Sequence, residues 1–166
     1  MQLENTLTQE NHQTQCTVPL RVMIIEDTEE RQKILTSLYR SHAWILANTG
    51  NRAITLINAY DFDIISLDYN LRGELTGADV ARLIKSSRNT EAKIIVHSLN
   101  PKGVKQILNI LPNAISYPVS KMIRSNNAFK HLRTTIDQLG VDFDWSNNFT
   151  KNNAICRKFN NGIDKK

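Results

Sequence analysis

Three acidic residues fall at the ends of two apolar runs. VMIIED closes on Glu26 and Asp27, and DIISLD closes on Asp68. Runs that are apolar throughout and bounded by polar turns read as buried strands of a parallel sheet. In an open α/β sheet the carboxyl ends of neighbouring strands meet at one crevice, where such folds bind ligands. Carboxylates gathered there repel one another unless a hard cation or a proton shares the site. Magnesium, with one carboxylate kept for phosphoryl chemistry, is the economical reading. The competing reading is a set of solvated acids at strand ends, and the pattern ED…D on two separate strands favours chemistry over it.

Holding those acids together requires a particular order of elements. Leu20 to Glu26 is the first strand, and Thr28 is a fitting N-cap with Glu29 and Glu30 in the first turn behind it. WILA, RAITLINAY and Phe62 to Asp68 then read as strand, helix and strand, and LRGELTG as a loop opening the helix ADVARLIKSS. KIIVHS is a fourth strand, Pro101 begins a helix, AISYP is a short fifth strand, and residues 125–139 form a last amphipathic helix. Each crossover is long enough for a right-handed βαβ unit. The alternation predicts an α/β fold, a doubly wound five-stranded parallel sheet of flavodoxin-like strand order 2-1-3-4-5. In that order strands one and three are neighbours and their terminal carboxylates share a crevice.

Composition sets the surroundings. The 166 residues suffice for one domain with a real core. The expected division is a disordered arm over 1–19, rich in Gln, Asn and Thr, a domain over 20–140, and a basic, Asn-rich tail over 141–166. Residues 1–120 balance 12 Lys/Arg against 12 Asp/Glu, whereas 121–166 hold 9 against 4, so the net charge of +5 sits at the C-terminal end. Such a run is usually a solvated face, and contact with nucleic acid is the sharper alternative. No apolar stretch reaches membrane-spanning length, and the polar, acidic start lacks the features of a secretory signal, so a cytoplasmic location is expected. Cys16 and Cys156 have no neighbours at metal-ligand spacing.

The order of features over about residues 20–139 resembles the receiver domain of two-component response regulators. The chain is similar in particular to the subfamily predicted to process cyclic phosphates, through LDYNL, TGADVA and the loop HSLNPKG, with His97, Ser98, Asn100, Pro101 and Gly103 matching. Tyr69 and Asn70 stand where that subfamily has His-Asp. The resemblance implies that Asp68 is the phospho-acceptor and that Glu26, Asp27, Asp68 and the main chain of Asn70 hold magnesium. It implies that Ser98 donates to a phosphoryl oxygen, that Tyr117 is the aromatic of strand five, and that Lys121 pairs with the phosphate. Lys121 comes one residue later after the aromatic than the family pattern has it, and Pro118 directly follows Tyr117.

Asp68 would then attack phosphorus in line and form an acyl phosphate. Alternation along the strand turns His97 to a helix-covered face if Ser98 turns to the crevice. It is there a satisfied buried histidine, or an acid/base group, or one that orients the Asn100–Gly103 loop, whose N–H groups at a helix start suit a phosphate. The leading expectation is a stand-alone receiver-like signalling protein. A histidine kinase or phosphotransfer protein would donate the phosphoryl group, and a downstream protein partner would read the result. The alternatives are a magnesium-assisted phosphohydrolase for cyclic phosphates and a receiver-like module that only binds proteins, so enzymatic turnover stays open.

Overall fold

Five parallel strands hydrogen-bond in the order β2-β1-β3-β4-β5, the expected arrangement. The computed structural model describes residues 18–146. The arm up to residue 17 with Cys16, and the basic tail from residue 147 with Cys156, lie outside the described residues. The chain runs β1 (Arg21–Ile25), α1 (Glu29–Leu38), β2 (Ala43–Ala47), α2 (Gly50–Ala59), β3 (Ile64–Leu67), α3 (Gly77–Lys85), β4 (Lys93–Val96) and α4 (Pro101–Ile110). It continues through β5 (Ile115–Ser116), α5 (Val119–Met122), α6 (Asn126–Leu139) and a 3-10 turn (Gly140–Asp142). Among the described residues no helix is long and apolar enough to cross a membrane.

Thr28 takes the N-cap position of α1 without a capping side-chain hydrogen bond, whereas α2, α4 and α6 start with one. Thr49 Oγ1 accepts from Arg52 N–H at 3.2 Å, Asn100 Oδ1 from Gly103 N–H at 3.1 Å, and Ser125 Oγ from Ala128 N–H at 3.1 Å. At α3, Thr76 and Asp79 form a reciprocal capping box, with Thr76 N–H donating to Asp79 Oδ2 at 2.8 Å. Each such cap is worth about 1 kcal/mol. Gly140 ends α6 at φ +57°, a backbone conformation that side chains disfavour.

Strand alternation divides the core into two layers. Met23, Ile25, Ile65, Leu67, Ile94 and Val96 face α2, α3 and α4. Val22, Ile24, Ile64 and Ile95 face the opposite way, toward Leu35 and Leu38 of α1 and Leu132 and Ile136 of α6. The same parity carries Glu26, Ser66, Asp68 and His97 onto the α1 side of the sheet.

The segment directly after α6 packs into the core. Phe143 and Trp145 are buried in the α1/α6 layer, with Trp145 edge-on to Tyr117 at 5.2 Å and to Phe143 at 4.9 Å. Lys93 Nζ donates to the carbonyl of Phe143 at 2.9 Å and also to that of Val141. Two aromatic residues outside any long periodic run are too few for periodicity to mark them as core.

Candidate functional site

The sheet ladder runs past the strand ends and brings the acids into one row. Glu26 N–H donates to Ala47 O at 3.0 Å, Asp68 N–H to Ile25 O at 3.0 Å, and His97 N–H to Leu67 O at 3.1 Å. Glu26, Asp68 and His97 thus stand side by side at the carboxyl ends of β1, β3 and β4. All three are fully buried, and a potential ligand atom from each lies within 4.8 Å of the others.

Buried polar groups require partners. His97 Nε2 lies 3.1 Å from Glu26 Oε2, and its Nδ1 lies 2.9 Å from Ser66 Oγ. His97 therefore stands on the α1 side of the sheet together with Glu26 and Asp68, and both ring nitrogens are engaged. It fixes Glu26 in place and presents no open nitrogen to the crevice. The other Glu26 oxygen, Oε1, accepts from Thr28 N–H at 2.8 Å and pairs with Arg31 at 3.0 Å. Burial pushes the Glu26 carboxyl up, but the His97 and Thr28 donors and the Arg31 charge outweigh it and hold the group below its usual range.

Asp68 differs. Its Oδ2 accepts from Arg31 at 3.2 Å, while its buried Oδ1 has no hydrogen-bond partner. Burial pushes its carboxyl above the usual range and the Glu26 charge adds to that, against the pull of Ser98, His97 and Arg31. Two adjacent carboxyls are thus driven apart in acidity, an arrangement common at chemically active sites.

Arg31 is the residue that sequence reading missed. It lies one turn into α1, where its guanidinium reaches Glu26, Asp68 and, at 3.9 Å, Asp27. The i, i+4 spacing from Asp27 is a weak signal for one of these contacts. The contact with Asp68 depends on the packing of α1 over β3. Ser66 was equally hidden, as a polar residue inside an apolar strand.

The remaining expected residues divide. Ser98 is buried beside the cluster, where its hydroxyl accepts from Asn100 N–H at 3.3 Å. Asn70 Oδ1 accepts from Asn100 Nδ2 at 3.3 Å, tying the loop after β3 to the loop after β4. Gly77 packs against the backbone of Asp68, where a Cβ would meet Asp68 O at 2.1 Å. Lys121 is not brought to Asp68. The short helix α5, absent from the expected elements, carries it to Tyr117, with Nζ 4.4 Å from the ring centroid. Tyr117 itself is buried under Trp145 rather than standing open at the sheet end.

The donors suit a hard divalent cation. Glu26, Asp27 and Asp68 offer carboxylate oxygens, and Asp68 Oδ1 is an orphaned buried acceptor. His97 has no ring nitrogen to spare for a metal.

A family model described as "Cyclic-phosphate processing Receiver domain" matches residues 21–113. The chain is also similar to solved response regulators. One is the phosphorylated cyanobacterial phytochrome response regulator RcpA, at 18% identity and TM-score 0.57, covering 72% of this chain and 93% of that one. Another is the Mn(2+)-bound response regulator Rcp1, at 18% identity and TM-score 0.58, covering 76% and 97%. A third is TrrA from Thermotoga maritima in complex with Mg(2+)-BeF, at 21% identity and TM-score 0.54, covering 72% and 97%. These likenesses establish the fold. No curated protein sequence matches the chain.

Proposed function

Since the chain belongs to the family of cyclic-phosphate processing receiver domains, we propose that it carries out phosphoryl transfer to Asp68 and signals through the change this makes. The observation that supports this reading best is Asp68 Oδ1, a buried carboxylate oxygen without a hydrogen-bond partner at the end of the middle strand. An acceptor kept free of protein donors is available to attack.

In that step Asp68 Oδ1 forms a bond to phosphorus, and the bond from phosphorus to the donor's leaving group breaks with its electron pair going to that group. A phosphohistidine on a kinase or phosphotransfer protein is the donor class. Asp27 and Asp68, with Glu26 and the main-chain carbonyl of Asn70, would hold a magnesium ion, which supplies neutralising charge to the phosphoryl oxygens. Glu26 stays ionised beside the acceptor because His97 and Thr28 donate to it. Ser98, whose hydroxyl accepts from Asn100 N–H, would donate to the new phosphoryl group and draw the following loop with it. The added charge biases a surface that a downstream protein reads. Such phosphodonors are cytoplasmic species, and the reaction is assigned there.

Intact mass after incubation with magnesium and acetyl phosphate tests this. One phosphoryl adduct on the wild type, absent from Asp68→Asn, is the expected result. No adduct on a protein that binds magnesium would remove the acceptor role.

A second reading is favoured by the buried Ser66–His97–Glu26 chain beside Asp68. It is hydrolysis of a cyclic phosphate, in which water adds to phosphorus, one ring ester bond breaks and the departing oxygen takes a proton. Glu26, held by His97, is the group placed to manage that proton. Opening of RNA ends carrying a cyclic phosphate, lost in Glu26→Gln, is the corresponding assay.

A further inference from the structure

The cluster already holds one positive charge. Arg31 reaches Glu26 Oε1 at 3.0 Å and Asp68 Oδ2 at 3.2 Å, with Asp27 Oδ1 at 3.9 Å. Both of its near partners are fully buried, whereas the Arg31 side chain keeps 19% of its surface exposed. Arg31 is thus the more exposed member of each of these two ion pairs. Its Nε is buried without a hydrogen-bond partner, and so is Asp68 Oδ1. A donor and an acceptor at one ion pair are thus left unsatisfied, a costly arrangement unless a further group enters.

Lys121 does not supply a cation here. Its Nζ lies over the Tyr117 ring at 4.4 Å, and it has no ion pair to Asp68 among the described residues. α5 is responsible, because it opens directly after Pro118 and inserts a helical turn between β5 and α6.

We infer that Arg31 is the phosphoryl-binding cation of this chain, holding the acid cluster before the reaction and turning to the phosphoryl oxygens once the group is on Asp68. The inference rests on the phosphoryl-transfer reading. Guanidinium presents planar paired donors that match phosphate oxygens, and Nε is one of them. The side chain is long and rooted on α1, so it can exchange carboxylate for phosphoryl oxygen without backbone movement. The same position makes Arg31 a competitor of a metal ion, because two positive charges contend for Asp68 and Glu26.

This gives two effects of opposite sign. The full chain is titrated with magnesium alone, and then with beryllofluoride in saturating magnesium, as wild type, Arg31→Gln, Arg31→Lys and Lys121→Met. Arg31→Gln is expected to tighten magnesium by about threefold, as a competing charge is removed, and to weaken beryllofluoride by about tenfold or more, as a charge-assisted contact is lost. Arg31→Lys recovers part of the beryllofluoride affinity, and Lys121→Met stays within about twofold of wild type on both axes. A merely structural role for Arg31 would weaken both ligands together.

Beryllofluoride binding unchanged in Arg31→Gln, or lost in Lys121→Met, overturns the assignment and leaves phosphoryl transfer standing. A wild type that binds magnesium but no beryllofluoride overturns phosphoryl transfer itself, and Arg31's role with it. If Arg31→Gln does not fold by thermal scan, Arg31→Lys against Lys121→Met decides. A beryllofluoride loss in the first and not the second supports the inference, and the reverse overturns it.

Discussion

The Tyr69 ring lies against Gly103 so closely that a Cβ on the glycine would sit 2.1 Å from Tyr69 Cγ. Tyr69 follows Asp68 and Gly103 is in the first turn of α4, so this contact joins the two loops that flank the cluster. The Tyr69 hydroxyl continues it by donating to Gln106 Oε1 at 3.0 Å. Gly103→Ala must expel the ring, which outweighs the helical preference for alanine. A net loss of about 1–2 kcal/mol is expected in urea unfolding. The loss should shrink in a Tyr69→Ala background, a coupling that a double-mutant cycle reads.

The pH dependence of stability follows from the two carboxyls. Asp68 has a raised value in the folded state, so the fold binds its proton more tightly than the unfolded chain does. Its contribution is therefore fully present below the unfolded value and is lost as pH rises through the folded one. Glu26 has a lowered value, so its contribution is present above the unfolded value and is lost as pH falls through the folded one. Asp68→Asn removes the first loss. Without metal it should unfold at a higher temperature than the wild type at pH 7. The difference should vanish in acid, and melting curves across pH check it.

His97→Gln isolates the link between β4 and β1. Glutamine can serve Glu26 or Ser66 but cannot span both, since it lacks the two opposed ring nitrogens. One buried polar group is left without its partner, and about 1–3 kcal/mol of stability is expected to go. The Glu26 carboxyl should titrate at higher pH, which carbonyl-carbon NMR of the side chain follows directly.

Trp145→Ala tests whether the segment after α6 belongs to the domain. The indole is buried against Tyr117 and Phe143. Removing it should cost about 3 kcal/mol in urea unfolding, the range for large aromatic truncations in a core. A loss below about 0.5 kcal/mol, the scale of a surface change, would return the segment to a peripheral lap.

The sheet was legible because its rules are local. Apolar runs, N-caps and crossover length require only neighbours in sequence, and strand order followed from the alternation. Glu26 and Asp68 were legible because strand ends in a parallel sheet converge. Arg31 was not, because its contact with Asp68 spans 37 residues and depends on how α1 packs over β3. Lys121 was named from the resemblance alone, and a helical turn after Pro118 sets its Nζ over the Tyr117 ring. Ser66 and His97 each look like interruptions of an apolar strand, and only the lateral pairing of β3 with β4 makes them a hydrogen-bonded couple.

The two tryptophans sit in opposite surroundings, Trp44 on the edge strand with 44% of its surface exposed and Trp145 with 1%. An indole in an apolar setting emits to the blue of a hydrated one, so the intrinsic fluorescence of this chain is split by position. The blue edge belongs to Trp145 and, through the ring 5.2 Å away, to the surroundings of Tyr117. The red edge belongs to the far side of the sheet. Any rearrangement that reaches strand five should shift one edge and leave the other still, giving an optical signal without an added dye.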